Sequence, residues 1–492
     1  MLPHSDESAA RTRTRVKYVS TRGEAPVIGF EDVLLTGLAR DGGLYVPETL
    51  PILDLEQFEG LGFAEAAFRV MQPFVGGEIA DTALQSICTD AYATFSHVAT
   101  CPLVQIGPHD WVLELFHGPT LAFKDVAMQV LGRLMDHTLT KRGARATVIG
   151  ATSGDTGSAA IEAFRGREAI DIFILHPHGR TSEVQRKQMT TAVEENVHNI
   201  AIEGTFDDCQ ALVKAMFNDL ALRDRLQLAG VNSINWARIM AQVTYYVTAA
   251  AALGAPHIGG VRFAVPTGNF GDVFAGYVAR RMGVAIDKLI IGTNSNDILA
   301  RVFETGIYEP RDTIPTQSPS MDIQVSSNFE RLMFEMAGRK PEQVLAWMGA
   351  LKQHGSFKIG ATEIQLTGQN EQALFAAAKV DEFETSTTIA DLYRDTSYVA
   401  DPHTAVGIAA ARKLRSGAAP LDRQGQPTIH LATAHPAKFP DAVECAIGRK
   451  PDRPERLARQ LAAKERFEVL PNSLAKVSRF IEQRARLGQT DR

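Results

Sequence analysis

Lys124 follows Ala122 and Phe123 and precedes the apolar Val126, Ala127 and Met128 in HGPTLAFKDVAMQ, residues 117–129. A solvated surface lysine would not be expected there. Burying an unpaired ammonium is costly, so this side chain either pairs with a carboxylate or gives up its proton. A neutral amine is a nucleophile and can form an imine with a carbonyl such as that of pyridoxal phosphate. On this segment alone an alternative stays open, an ammonium that snorkels outward or pairs with Asp125.

Two glycine-rich turns could hold anions. GATSGDTGSAAIEAF, residues 150–164, reads as a strand-turn-helix junction. N–H groups at a helix start bind anions, and Gly154 and Gly157 let the backbone come close to a ligand. Ser153, Thr156 and Ser158 add hydroxyl donors. A plain N-cap for the helix is the alternative. PTGNFGDVFAG, residues 266–276, has the same form, with Gly268 and Gly271 bracketing Asn269 and Phe270 ahead of a helix. That suits a phosphate cradle of backbone donors, against the alternative of an ordinary tight turn. No GK[ST] follows it and it is not GxGxxG, so neither nucleotide fingerprint is present. Two cradles suggest two anionic groups to hold.

The elements that must position these residues repeat from about position 100: a short β-branched or apolar run, a Gly-rich or polar turn, then an amphipathic helical stretch. This is the pattern of an α/β protein with mainly parallel sheets. Strands are expected at 146–151, 171–175, 197–204, 261–265, 289–294 and 428–433, with helices after several of them. Residues 1–98, with few such units, read as a separate N-terminal domain. Residues 99–450 form the catalytic region of two α/β subdomains, with a Pro-, Thr- and Ser-rich loop near 308–328. From 451 to 492 the chain is charged and reads as a solvated helical extension.

The chain has 492 residues, 45% of them hydrophobic and 22% charged, enough to bury a large core. A net charge of -6 offers no global field for nucleic acid or an anionic membrane. No apolar stretch is long enough to span a bilayer, and the first residues lack the apolar segment of a secretory signal, so a cytoplasmic protein is expected. Cys88, Cys101, Cys209 and Cys445 form no CxxC pair, and no zinc site or disulfide framework is expected. His176 and His178 flank Pro177 without carboxylate or thiolate companions at ligand spacing, which favours a loop over a metal site.

Together these segments resemble the fold-type II pyridoxal-phosphate enzymes, a family that includes tryptophan synthase β chain, cysteine synthase and the serine and threonine dehydratases. Glu114, then five residues, then Thr120-Leu121-Ala122-Phe123-Lys124-Asp125 fits that family's lysine attachment pattern. Within it the chain is similar to the long threonine synthases of bacteria and fungi. The likeness runs through YVSTRGEAP near 18–26, DGGLYVPE at 41–48, FHGPTLAFKD at 116–125, GATSGDTGSAA at 150–160, NSINWARI at 232–239, GNFGD at 268–272 and DPHTA at 401–405.

The resemblance implies a tryptophan synthase β-like fold with an added N-terminal domain, pyridoxal 5'-phosphate as cofactor, and Lys124 as its Schiff-base lysine. It places the cofactor phosphate on Gly268, Asn269, Phe270 and Gly271, with Asp272 beside them, and a Thr433 hydroxyl opposite the pyridine nitrogen. Ser153, Gly154, Asp155 and Thr156 match a loop that contacts the substrate carboxylate and the cofactor ring, with Asp155 where the wider family commonly has Asn. The implied reaction converts O-phospho-L-homoserine and water into L-threonine and phosphate. Arg238 and Ser153 are candidate partners for the substrate phosphate, ahead of Asn235 and Asn328, although a surface salt bridge would also account for Arg238. Two rivals stay open: a phospho-lyase that gives 2-oxobutyrate, and a homologue that binds the cofactor without turnover. No metal is implied, and the chain is expected to be a monomer or a homodimer.

Overall fold

The computed structural model describes residues 15–152, 154–230, 233–360, 373–416 and 425–486. The strands in chain order are β1 (Tyr18–Ser20), β2 (Tyr45–Pro47), β3 (Leu103–Gln105), β4 (Asp110–Glu114), β5 (Ala146–Ala151), β6 (Ile170–Pro177), β7 (Val197–Glu203), β8 (Leu228–Gly230), β9 (Val261–Pro266), β10 (Ile286–Thr293), β11 (Ile307–Tyr308), β12 (Phe357–Lys358), β13 (Phe375–Lys379), β14 (Thr428–Ala432) and β15 (Glu468–Pro471). Two large sheets carry the catalytic region. One has the order β15-β7-β6-β5-β8 and is parallel throughout. The other has the order β13-β10-β9-β14-β4-β3 and is parallel except where β3 runs against β4. Parallel strands covered on both faces read as continuous apolar runs, and β6, IDIFILHP, is buried at every position. The runs marked in the sequence thus become β5, β6, β7, β9, β10 and β14.

The helices after these strands set the site. Gly132 lies in the helix Lys124–Lys141, and a Cβ there would sit 2.3 Å from the carbonyl oxygen of Ala163 in the helix Asp155–Phe164. Only glycine permits so close an approach. Gly132 and Ala163 stand equally far from the first residues of their helices, so the contact brings Lys124 and Asp155 together. The Lys124 loop is also tied to the segment after β14. Phe123 N–H donates to the Thr433 carbonyl at 2.8 Å and His435 N–H to the Leu121 carbonyl at 3.0 Å.

The N-terminal region has no core of its own. Its helix Phe63–Val75 packs on the helix Trp236–Ala252. The rings of Tyr18 and Phe74 meet Trp236 edge-on at centroid distances of 6.1 and 5.7 Å. The terminal segment also departs from the expected solvated helix. It contains the helices Glu455–Ala462 and Leu474–Arg484 with β15 between them, and β15 pairs with β7. The second helix buries Val477 and Ile481. Without β15, β7 would be an open sheet edge, a surface that proteins commonly cover. No helix among the described residues is long and apolar enough to cross a membrane.

His176 lies within β6 rather than in a loop. It is 1% exposed, neither ring nitrogen has a hydrogen-bond partner among the described residues, and Phe467 meets it edge-on at 6.0 Å. Burial pushes this imidazole down to about 4. In the unfolded chain it takes up a proton near pH 6.5, so its contribution to stability is whole above that pH and is lost as pH falls toward 4. The loss should reach about 3 kcal/mol. Urea unfolding of wild type and His176→Leu at pH 7 and 4.5 checks this: over that interval the variant should lose about 2 kcal/mol less stability.

Candidate active site

In open α/β sheets the crevice beyond the carboxyl ends of the strands is the natural ligand site. Here β5, β9 and β14 end at a cavity of about 550 Å³. Lys124, Gly154, Asp155, Thr156, Arg238, Gly268, Asn269, Phe270, Gly271, Asp272 and Thr433 all line it. The structure therefore gathers residues from segments more than three hundred positions apart. Ser153 lies outside the described residues.

Lys124 opens its helix with a side chain 11% exposed and Nζ 3.4 Å from both Asp155 Oδ2 and Ser320 Oγ. Asp125 is not its partner. That carboxylate turns back to accept from Thr120 N–H at 2.7 Å and Thr120 Oγ1–H at 2.8 Å, and burial raises its pKa to about 6. Burial lowers the Lys124 pKa from the usual lysine value; Asp155 opposes this, and the cations of Lys438 and Arg238 reinforce it. Burial by itself would raise the Asp155 carboxyl, but Lys438 and then Lys124 outweigh it and hold the group well below the usual carboxylate range. The result is a carboxylate shared between two lysines, one of which faces the cavity.

The loop after β9 has the shape of a cradle. Phe270 has φ 63°, a left-handed conformation uncommon outside glycine, and its buried ring packs edge-on to Phe329 at 5.4 Å. A Cβ on Gly268 would come within 2.9 Å of the Ser320 carbonyl oxygen, so this position too needs glycine. The helix Gly271–Arg281 that follows has no side-chain cap, which leaves its first N–H groups for a ligand. The carboxyl of Asp272 does not serve the cradle. It accepts hydrogen bonds from Tyr245 and Tyr246 hydroxyls, and burial raises its pKa to about 6, so the position offers its backbone rather than its charge.

The loop after β5 is held by Thr152, which the sequence did not single out. Its Oγ1 accepts from Gly154 N–H at 3.0 Å and Gly157 N–H at 3.2 Å. Gly154, at the N-cap position of the helix Asp155–Phe164, has no side chain to cap it, and Thr152 Oγ1 takes up the first-turn Gly157 N–H instead, so part of this turn serves as a cap.

Arg238 is not in a surface salt bridge. It is 5% exposed, and Nε and Nη1 have no hydrogen-bond partner among the described residues. Burial lowers its pKa to about 10, which still leaves it cationic at neutral pH. Asn235 and Asn328 are occupied elsewhere. Asn235 caps its helix through Ala237 N–H at 3.0 Å and donates to the Leu34 carbonyl at 2.8 Å. Asn328 accepts from Arg331 and donates to the Asn269 carbonyl at 3.0 Å, bracing the cradle from behind. Sequence reasoning missed Ser320, His403 and Lys438, although the motifs DPHTA and LATAHPAKF carry two of them.

Pyridoxal 5'-phosphate, the group the resemblance implies, fits the residues present. Lys124 offers an amine of lowered pKa for an aldehyde, the Gly268–Gly271 cradle offers uncapped N–H groups for a phosphate, and Thr433 offers a hydroxyl on the same cavity wall. Arg238 remains as an unpartnered cation for a second anion.

Comparison with known proteins gives the same picture over nearly the whole chain. Three family models match: "Threonine synthase N terminus" over residues 17–92, "Pyridoxal-phosphate dependent enzyme" over 102–361, and "Threonine synthase, C-terminal" over 404–481. The chain is 53% identical to threonine synthase of Pseudomonas aeruginosa, across 96% of this chain and all of that protein. It is 43% identical to threonine synthase of Saccharomyces cerevisiae, across 87% of this chain and 89% of that one. Among solved structures, a crystal structure of PLP-bound threonine synthase from Brucella melitensis matches with a TM-score of 0.92 and 54% identity, covering 96% of this chain and all of that one.

Proposed function

The chain belongs to the threonine synthase family, and from that premise we propose that it converts O-phospho-L-homoserine and water into L-threonine and phosphate. The observation that carries the reading is one cavity holding both a lysine of lowered pKa and a buried guanidinium with unpartnered nitrogens. Pyridoxal 5'-phosphate, when bound, supplies an aldehyde for an amine and a ring that spreads carbanion charge.

Lys124 would hold the cofactor through its amine, and its Nζ is placed to take the substrate's Cα proton. Gly268 to Gly271 would anchor the cofactor phosphate through backbone N–H groups, with the Asp272 carboxyl turned away to the hydroxyls of Tyr245 and Tyr246. Thr433 would offer a hydroxyl rather than a carboxylate to the cofactor's pyridine nitrogen, a partner that does not call for a proton there. Gly154 and Thr156, with Ser153, hold the substrate carboxylate. Arg238 binds the substrate phosphate and stabilises the charge that grows on it as it leaves. Water then adds at Cβ. The reading extends to a cytoplasmic enzyme acting as a monomer or a homodimer.

With O-phospho-L-homoserine as substrate, phosphate and threonine should appear in equal amounts. Phosphate assay beside amino-acid chromatography checks this. 2-Oxobutyrate as the sole organic product would make the protein a phospho-lyase, and no product at all would leave a binding scaffold.

A further inference from the structure

Lys438 is a second buried lysine beside Lys124, and the reaction as read above gives it no task. It ends the turn Pro436–Lys438 just after β14, and its side chain is fully enclosed. Its Nζ lies 2.7 Å from Asp155 Oδ1 and donates to the Thr120 carbonyl at 2.8 Å. A tie to a carbonyl does not require a charged donor, and enclosing an ammonium is unfavourable unless a counter-charge is present. That counter-charge is Asp155.

Asp155 stands between two amines at unequal distances. Lys438 is at 2.7 Å from one oxygen and Lys124 at 3.4 Å from the other, which also accepts from Ser320 Oγ–H at 3.3 Å. One carboxylate cannot fully neutralise two ammonium groups in a water-poor site, so the nearer cation takes most of its charge. The charged groups acting on Lys124 are Asp155, Lys438 and Arg238. His403 stands behind Ser320, its Nε2 3.2 Å from the Ser320 backbone nitrogen and its Nδ1 2.8 Å from Asp401 Oδ1.

We propose that Lys438 is a positioning residue for Lys124: it binds the Asp155 carboxylate as its principal counter-ion, so that Lys124 is presented to an aldehyde, or to a substrate C–H, as a free amine. Without Lys438, Asp155 would have Lys124 as its only close lysine, and their attraction would hold that amine protonated. The burial that favours a neutral Lys124 would then be opposed by a full charge. The Asp155 and Lys438 pair also brings a carboxylate into a site that must accept an anionic cofactor and substrate without adding net negative charge. This inference rests on reading Lys124 as the cofactor attachment site.

The test follows imine formation between added pyridoxal 5'-phosphate and the full-length, cofactor-stripped protein from about pH 6 to 10, because the rate tracks the neutral fraction of the Lys124 amine. In Lys438→Met the midpoint of this profile should rise by at least about one unit, making the imine form roughly tenfold more slowly at pH values below both midpoints. Where Asp155 is already Asn, adding Lys438→Met should move the midpoint by clearly less, since only the direct repulsion between the two amines is then removed. Circular dichroism checks folding, and Lys438→Gln, which keeps a donor for Thr120, carries the same expectation if the Met variant does not fold. A folded Lys438 variant with the wild-type midpoint overturns the proposal, as does a shift of equal size on the Asp155→Asn background. Borohydride reduction and peptide mapping separate the two levels. An adduct on Lys124 with an unmoved midpoint removes only the role of Lys438, whereas a wild-type adduct on another residue removes the attachment reading beneath it.

Discussion

Lys124→Ala should abolish the visible absorption of the cofactor-loaded protein and lower threonine formation by roughly 10³–10⁴-fold, the scale of losing a positioned general base. The reason is local. Among the described residues Lys124 is the lysine lining the cavity, and its Nζ hydrogen-bonds to Asp155 and Ser320. No second lysine can take over, because the Nζ of Lys438 is enclosed and committed to Asp155 and the Thr120 carbonyl. Absorbance spectra and steady-state kinetics of the purified variant measure both effects. A visible band that survives the substitution would move the attachment site elsewhere.

Arg238→Met should separate function from stability. Losing a buried cation that binds the substrate phosphate and stabilises its departure is expected to lower kcat/KM for O-phospho-L-homoserine by roughly 10²–10³-fold, through both a raised KM and a lowered kcat. Cofactor retention should change far less. Thermal stability without substrate should hold or rise, because the guanidinium is buried with Nε and Nη1 unpartnered among the described residues, and an apolar side chain removes that desolvation penalty. Steady-state kinetics, cofactor content after dialysis and a thermal midpoint measure the three quantities. Lost cofactor with an unmoved KM would place Arg238 on the cofactor phosphate instead.

Much of the site was legible because its signals are local. A lysine in an apolar run, glycines ahead of a helix, and apolar runs separated by turns reflect short-range constraints on burial, backbone and period. The partners of those residues were not legible. Asp125 adjoins Lys124 in sequence, yet consecutive residues on a helix point in different directions, and the carboxylate near Lys124 comes from Asp155. Asp272 belongs to a phosphate-cradle motif but turns to the tyrosines of a neighbouring helix. Asn235 and Asn328 carry amides fit for a ligand, and both are spent on bracing backbone. The charged composition after 451 concealed a strand, because an edge strand's partner lies far away in the chain.

The amino-acid sequence by itself determined the parallel α/β architecture, a lysine set within an apolar run and the two glycine-rich turns, since each depends on residues within a few positions of one another. Tertiary structure alone decided the protonation landscape around Lys124. Burial and charge pairing depend on distance in space, and here that distance is set by Gly132 seating one helix on the carbonyl of Ala163, and by the tie between the Lys124 loop and the segment after β14. Those contacts place Lys438 and Lys124 on opposite oxygens of one carboxylate, and Coulomb's law does the rest.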